Sequence, residues 1–530
     1  MTGPRPAAIA AFVFVLLLLV STVGFHYWAV AHVPPIQDAA NLVARASSRA
    51  LELQHLRLRE HVAFLRMDVN NLLSVVYFSL FSLVAGPGRI AWGWGWAVAV
   101  AAFFLAAAAA ESHHAEERPL LATVLLFACG PLVFRPGGLL DQRFDPFAVL
   151  IVCAAAFALV ADRPLAAAWL SLAAVLAKGP ALPVMALTWL AAMATGVTPL
   201  DRLGRAVRSR PWLWAGLAVA ALAYGWFCLR DVVAYNLSAV SSPTPEGQAG
   251  RFLLTAPRLA WGARWFYPAA LTRHAPLSWL LVAGGLVLLL RAAREGDAVT
   301  RRRAAFGLVL FVLLDLLFSA TPPPAAVLVV WLAPAVFVLG LAAAPSLGRR
   351  AVLIPALGVL SLAFQLYRHS VGGAGMSAEA TSALPALHAH ADALADALEA
   401  RALSGRRVLV SANFLYSPLP DLAFNCDVER VLLYERLGRA APVLDGWTLG
   451  SWSDDWRAEM PVAGEEALLT VLAVGARDGV HHRGRAGAMG AQFMAVANPA
   501  CAVPVPGTLG RPELGHIRAF LTAPDLQACR

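Results

Sequence analysis

The chain reads as an all-α polytopic membrane domain of about eleven transmembrane helices, with interfacial helices in the first outer loop and a small C-terminal α/β extracytoplasmic domain. Three observations carry this reading. Of 530 residues, 59% are hydrophobic and 14% charged, with mean hydropathy +0.64, a composition rare among water-soluble globular chains. Long apolar runs recur from Ala7 to Leu366, split by short Arg-rich connectors. Beyond Tyr367 these runs stop, and an amphipathic helix pattern, short apolar strands and Gly, Pro and Asp turns replace them. The domains predicted are therefore 1–367 in the membrane and 368–530 outside it.

The first apolar run, Ala7–Phe25, follows Arg5. It has the outline of a signal peptide, but no clear small-x-small cleavage site follows, so it is read as a retained first helix with its N-terminus inside. The polar loop 28–70 comes next, with Pro34-Pro35-Ile36-Gln37-Asp38 and then Arg45, Arg49, Arg57, Arg59 and Arg66. Residues 39–66 are predicted as a charged amphipathic interface helix. Asn71–Gly86 is short, and its Asn and Ser residues suit a position in the interface plane. The remaining spans are Ile90–Ala110, Pro119–Phe134, Pro146–Val160, Leu165–Ala177, Pro180–Thr195, Trp212–Leu229, Leu277–Leu290, Ala304–Ala320, Ala325–Ala344 and Ala351–Leu366.

Parity supports this list. If Asn71–Gly86 does not cross, Arg163, Arg202, Arg205, Arg208, Arg210, Arg291, Arg294, Arg301, Arg302, Arg303, Arg349 and Arg350 all fall on the cytoplasmic side. That is the distribution expected of short cytoplasmic loops. The loops 28–70 and 230–275 and the tail then lie outside. In the tail, Ala378–Ala402 is predicted as a helix, and Arg407–Ala412 and Leu468–Val474 as buried strands.

The net charge of +9 is mostly arginine. In such a chain it fits cytoplasmic loops and anionic membrane lipid as partner, and nucleic acid is not expected. Cys129, Cys153 and Cys228 lie in apolar runs, while Cys426, Cys501 and Cys529 lie in the tail, where one disulfide can form if the tail is outside. No cysteine spacing matches a metal site, and His113-His114 and His481-His482 have no further ligands nearby. No cofactor is expected, and the sequence offers no support for a divalent metal.

Four polar features meet at the outer face in this topology. They are Asp38; the loop Arg135 to Pro146 with Asp141, Arg143 and Asp145; Lys178-Gly179-Pro180 between two apolar runs; and Arg251-Phe252 with Trp261, Arg264, Trp265, Phe266 and Tyr267 after it. A lysine at membrane depth is costly and marks a functional site by default. Each feature has a plainer reading. Asp38 suits a helix N-cap for Ala39–Leu58, Asp145 a cap for the helix at Pro146, Lys178 a snorkelling position, and the aromatics an interfacial belt. Asp315, inside a span, suits pairing with a neighbouring helix.

The order of these features resembles the C-type integral-membrane glycosyltransferases, the bacterial aminoarabinose transferase and protein O-mannosyltransferase branch. Asp38 stands where that family opens its first outer loop with an acid, although Ala39 replaces the usual Glu. Arg143-Phe144-Asp145-Pro146 matches its second outer loop. Leu176-Ala177-Lys178-Gly179-Pro180 matches its lysine junction. Arg251-Phe252 and Trp265-Phe266-Tyr267 match its long outer loop. Ser319 to Pro324 keeps the Ser and prolines of a later motif, without its Lys and Tyr. The resemblance covers roughly residues 1–367.

The resemblance implies a bacterial inner-membrane enzyme, multi-pass, with its active site and tail facing the periplasm. It would move a sugar from a polyprenyl phosphate donor, such as undecaprenyl phosphate, to a glycolipid, polysaccharide or protein hydroxyl with inversion. Asp38 would act as general base. Lys178, Arg251, Arg57 and Arg59 would hold the phosphate, and Asp145 with Arg143 would orient the base, acceptor or sugar. Two rival classes use the same residues differently. A transporter or flippase of lipid-linked sugars needs the cationic cavity without a base. A membrane scaffold with a periplasmic binding tail turns over no donor.

Overall fold

The computed structural model describes residues 6–35, 37–65, 71–114, 118–129, 144–179, 181–226, 278–320, 339–340, 351–371, 378–412, 426–448, 467–473, 502–507 and 517–522. The described chain packs as two units. The first comprises Met1–Thr22, Leu65–Ser74 and Trp96–Leu366, and the second comprises Val23–Phe64, Val75–Gly95 and Tyr367–Arg530.

Among the described residues, the helices before the tail are α1 (Pro6–His32), α2 (Gln37–Gln54), α3 (Leu58–Leu65), α4 (Leu72–Ala85), α5 (Arg89–His114), α6 (Arg118–Cys129), α7 (Asp145–Val160), α8 (Pro164–Ala177), α9 (Ala181–Ala194), α10 (Leu200–Ser209), α11 (Pro211–Tyr224), α12 (Ser278–Glu295), α13 (Ala298–Ala320) and α14 (Leu353–Val371). By length and composition, Pro6–His32 and Arg89–Ala109 are long and apolar enough to cross a bilayer; shorter apolar helices include Pro146–Val160, Pro164–Ala177 and Ala181–Ala194.

In the first unit, α1 exposes Ile9, Phe12, Val13, Leu16 and Val20, a stripe at helical spacing. Helix α14 exposes Leu353, Leu357, Leu360 and Phe364 in the same way. Contiguous apolar faces of this kind are unfavourable in water and suit contact with lipid. The inward sides pack closely. Ala122 and Leu125 of α6 meet Leu281 of α12, and Leu289 and Ala292 of α12 meet Ala304 of α13. A Cβ on Gly340 would lie 2.7 Å from the Gly285 carbonyl oxygen, so the backbones approach closely there because neither residue has a side chain.

Helices α7, α8 and α9 form consecutive antiparallel pairs. Pro146 and Pro164 sit in the first turns of α7 and α8, where a missing N–H costs no helical hydrogen bond. The α7–α8 turn places Asp162 in the left-handed region (φ 59°), a conformation Asp tolerates.

The second unit contains a five-stranded sheet in the order β2-β1-β3-β5-β4. The strands are β1 (Arg407–Ala412), β2 (Val443–Thr448), β3 (Ala467–Ala473), β4 (Ala502–Pro504) and β5 (Ile517–Thr522). Strand β1 pairs parallel with β2 and β3, and β5 pairs antiparallel with β3 and β4. Helix α15 (Ala378–Ala400) precedes β1, and α16 (Cys426–Leu437) makes the β1-to-β2 crossover that parallel pairing requires. Of the three tail cysteines only Cys426, buried at the start of α16, is described.

Two local expectations are corrected. Helix α1 runs on to His32, beyond Phe25 and into the stretch assigned to the polar loop. The helix expected over 39–66 is two helices, because Leu56 takes a positive φ of 56° and ends α2 in a turn. Leu56 is exposed, so no core contact offsets that conformation. The turn is instead closed by backbone bonds from Leu56 N–H to Leu53 O (3.1 Å) and from Arg57 N–H to Glu52 O (2.8 Å).

Candidate active site

The predicted site residues divide between the units. Asp38 lies in the first turn of α2, in the second unit, while Asp145 opens α7 and Lys178 follows α8 in the first. Arg143, Arg251 and Asp141 lie outside the described residues.

In the first unit, the α7–α8 hairpin brings Asp145 and Lys178 to the same end of a helix pair. The other end carries the Asp162–Arg163 turn. There Arg202, which follows α9, donates to Asp162 at 3.0 Å, so the return of the chain through α9 is fixed on that side. The acid and the lysine thus share one end of α7–α9, and Arg163 and Arg202 the other. Phe144 is fully buried, and Phe147 meets Trp96 at 6.2 Å between ring centroids, which anchors the Asp145 end.

Lys178 joins two helices. Its N–H donates to Ala174 O (3.0 Å), closing α8 with an extended backbone (φ −156°, ψ 116°), and its carbonyl accepts from Ala181 N–H (2.8 Å), opening α9. The side chain is half-buried. Buried Ser74 donates to the Ala177 carbonyl at 2.8 Å, which satisfies one of the unpaired carbonyls at the end of α8. The sequence places Ser74 among the Asn and Ser residues that suit a partly wet interface position, whereas the residue is buried. The carbonyl it serves is 103 positions away in sequence, so no local pattern points to it.

In the second unit, Arg57 pairs with Glu60 at 3.1 Å, and Arg59 is exposed on α3. Beside them lies a charged cluster that the sequence did not disclose. Arg49 of α2 pairs with Glu52 at 2.8 Å, and Arg407 of β1 pairs with Asp445 of β2 at 3.0 Å. Arg407 also stands 3.6 Å from Glu60 and 3.8 Å from Glu52, while His61 Nδ1 lies 3.5 Å from Glu52. The guanidinium carbons of Arg49 and Arg407 both sit over the Phe64 ring, at 4.3 and 4.4 Å from its centroid. Planar cations over an aromatic face are favourable contacts, and here they tie α3 to α2 and to the sheet.

Glu52 is fully buried, and burial raises its carboxyl from 4.5 to about 7, against the opposing pull of Arg49. Burial, then the Arg49 charge, lowers His61, and burial, then Arg57, lowers His55. The sign for Glu52 follows from proton uptake. Between pH 4.5 and about 7 the folded chain holds a proton that the unfolded chain releases. Its stabilising contribution is therefore complete below 4.5 and lost as pH rises through about 7. The two histidines act oppositely, losing stability as pH falls, so the effect is read by difference. Wild type minus Glu52→Gln should show thermal stability falling from pH 5 to pH 7.5, with a slope of up to about 1.4 kcal/mol per pH unit. Parallel pH profiles for the two proteins would overturn this.

No protein-family model matches the chain, and no curated protein matches it. Two solved structures do, both of ArnT from Cupriavidus metallidurans. The structure bound to undecaprenyl phosphate matches with 11% identity and a TM-score of 0.50, over 96% of this chain and 98% of that one. The apo-state structure matches with 13% identity and a TM-score of 0.49 over the same shares. At these identities the likeness is one of fold, and it rests on the undecaprenyl phosphate-bound structure. The chain has the mainly helical fold of that ArnT structure, in line with the fold that its motif order implies.

Proposed function

We propose that this chain is a membrane-embedded inverting glycosyltransferase that takes its sugar from a polyprenyl phosphate and delivers it to a hydroxyl of a glycolipid, polysaccharide or protein. The observation that carries the reading is the pairing of Asp145-Pro146 and Lys178-Gly179 at one end of α7–α8, away from the arginine-rich end, in a chain with this fold. The similar ArnT structure was solved with undecaprenyl phosphate bound, which supports a phosphate lipid as donor here. The exposed apolar faces of α1 and α14 support a multi-pass position in the bilayer. In this reading residues 1–367 form the catalytic membrane domain, 368–530 lie outside it, and the active face is periplasmic in a bacterial inner membrane.

The reaction is a single displacement. The acceptor oxygen forms its bond to the anomeric carbon as the bond from that carbon to the phosphate oxygen breaks, and the phosphate departs with the electron pair. Asp38 takes the hydroxyl proton. Phosphate is already a good leaving group, so cations suffice to hold its charge. Lys178 and Arg251 supply them, with Arg57 and Arg59 on the first outer loop, while Asp145 and Arg143 orient the acceptor or sugar.

The test is donor turnover. Purified protein in nanodiscs, given undecaprenyl-phosphate-linked hexose or aminopentose and a cell-envelope extract as acceptor, should release free undecaprenyl phosphate. Lys178→Ala should weaken binding of undecaprenyl phosphate itself, with a loss of about 10-fold or more and unchanged thermal stability. Lys178→Arg should restore part of that loss, since a guanidinium keeps the charge but presents it differently. Normal undecaprenyl phosphate binding by Lys178→Ala would remove the residue from the donor site.

A further inference from the structure

Helix α2, which carries Asp38, lies against the crossover helix of the tail. Asn41 Nδ2 donates to Asp427 Oδ2 at 2.9 Å, one helical turn along α2 from Asp38. The other oxygen of Asp427 accepts from Arg430 at 2.9 Å. Arg430 is buried, and it also donates to Leu444 O at 2.9 Å and to Ser48 Oγ at 3.0 Å. Ser48 lies 2.8 Å from Tyr434 Oη, and Tyr434 in turn accepts from Leu444 N–H at 2.9 Å.

Every member except Asn41 and Asp427 is buried. Asp427 keeps 14% of its side-chain surface exposed. A buried network with its partners in place holds its members in one arrangement, because each displaced group leaves an unpaired polar atom behind. Toward the Asp38 end of α2, the bond from Asn41 to Asp427 joins this helix to the network.

We propose that Asn41, held by Asp427 and Arg430 of the tail, is a positioning residue for Asp38, so that the C-terminal α/β element sets the geometry of the base. This rests on the assignment of Asp38 as base. General-base catalysis needs the carboxylate within hydrogen-bond reach of the hydroxyl, and a misplacement of about 1 Å can cost on the order of 100-fold. A displaced first turn of α2 therefore lowers the rate of transfer without removing the donor's phosphate contacts.

The experiment uses full-length protein in nanodiscs and measures release of undecaprenyl phosphate from an undecaprenyl-phosphate-linked sugar. It compares Asn41→Leu in the wild-type background and in Asp38→Asn, with Asp427→Asn as a second variant. The expected result is a kcat about 10- to 100-fold lower for Asn41→Leu, with the donor KM within about twofold and thermal stability near wild type. In the Asp38→Asn background the same substitution should have no further effect, since the group it positions is already gone. Asp427→Asn should lower kcat in the same sense.

Equal losses in both backgrounds, or a loss that tracks unfolding, would show a general structural role and overturn the proposal. An unchanged kcat in Asn41→Leu, with Asp38→Asn inactive, would overturn it while leaving Asp38 as base. Full activity in Asp38→Asn would remove the base assignment and the positioning role with it.

Discussion

Asp38→Asn should lower sugar transfer about 100- to 10,000-fold while leaving expression and donor binding near wild type. A sugar or lipid hydroxyl is a poor nucleophile until its proton is removed, and the carboxylate accepts that proton as the new bond forms. Asn keeps the size and loses the basicity. The first turn of α2, from Gln37, is where an Asp also favours the helix through its dipole. That role is worth about 0.3–1 kcal/mol, too little to account for a loss on this scale. The measurement is release of undecaprenyl phosphate by purified variants, with undecaprenyl phosphate binding measured in parallel. Full turnover in Asp38→Asn would remove Asp38 from the mechanism, and no release of undecaprenyl phosphate by the wild type would move the reading toward a transporter of lipid-linked sugars, which needs the cationic residues and no base.

The largest expected effect on stability belongs to Arg89, which sequence reasoning passed over. It opens α5, is 1% exposed and grips Glu435 of α16, itself 3% exposed, through Nε–Oε1 at 2.6 Å and Nη2–Oε2 at 2.8 Å. Its Nη1 also donates to Val33 O at 2.6 Å, just past the end of α1, and to Ala29 O at 3.2 Å, which accepts in addition from Val33 N–H at 2.9 Å. Arg89→Leu strands the buried Glu435 carboxylate and takes a donor from Val33 O, at a cost of about 3–5 kcal/mol. Its thermal transition in detergent should fall far below wild type. Arg89→Leu/Glu435→Leu should recover much of the loss, because no uncompensated charge stays buried. A single variant as stable as wild type would refute the assignment.

Much of the helical framework was legible because its signals are local. Pro146 and Pro164 mark the starts of α7 and α8, and the apolar runs between them need no distant residue to be read. Arg407–Ala412 reads as a strand because its β-branched, apolar composition fits a buried pleat, and its five residues after Arg407 are buried. Lys178-Gly179 was legible as a junction for the same reason: an apolar helix cannot carry a lysine through its middle without cost. The break at Leu56 was not legible. Residues 39–66 keep a helical pattern across it, and the φ of 56° belongs to a residue with no turn propensity of its own.

By itself, the sequence pointed to a mainly helical fold, to most of the described helices before the tail, and to the acid and lysine that the α7–α8 hairpin brings to one end. Composition and short-range periodicity suffice for those, since each depends on residues a few positions apart. Only the tertiary structure decided that the first-loop helices pack with the tail, that Arg49, Glu52, Arg407 and Asp445 form one cluster, and that Arg89 staples the end of α1. These depend on partners far apart in the chain, 346 positions for Arg89 and Glu435 and 386 for Asn41 and Asp427. A charged residue signals its own solvation cost in sequence, but the partner that offsets that cost is chosen by folding.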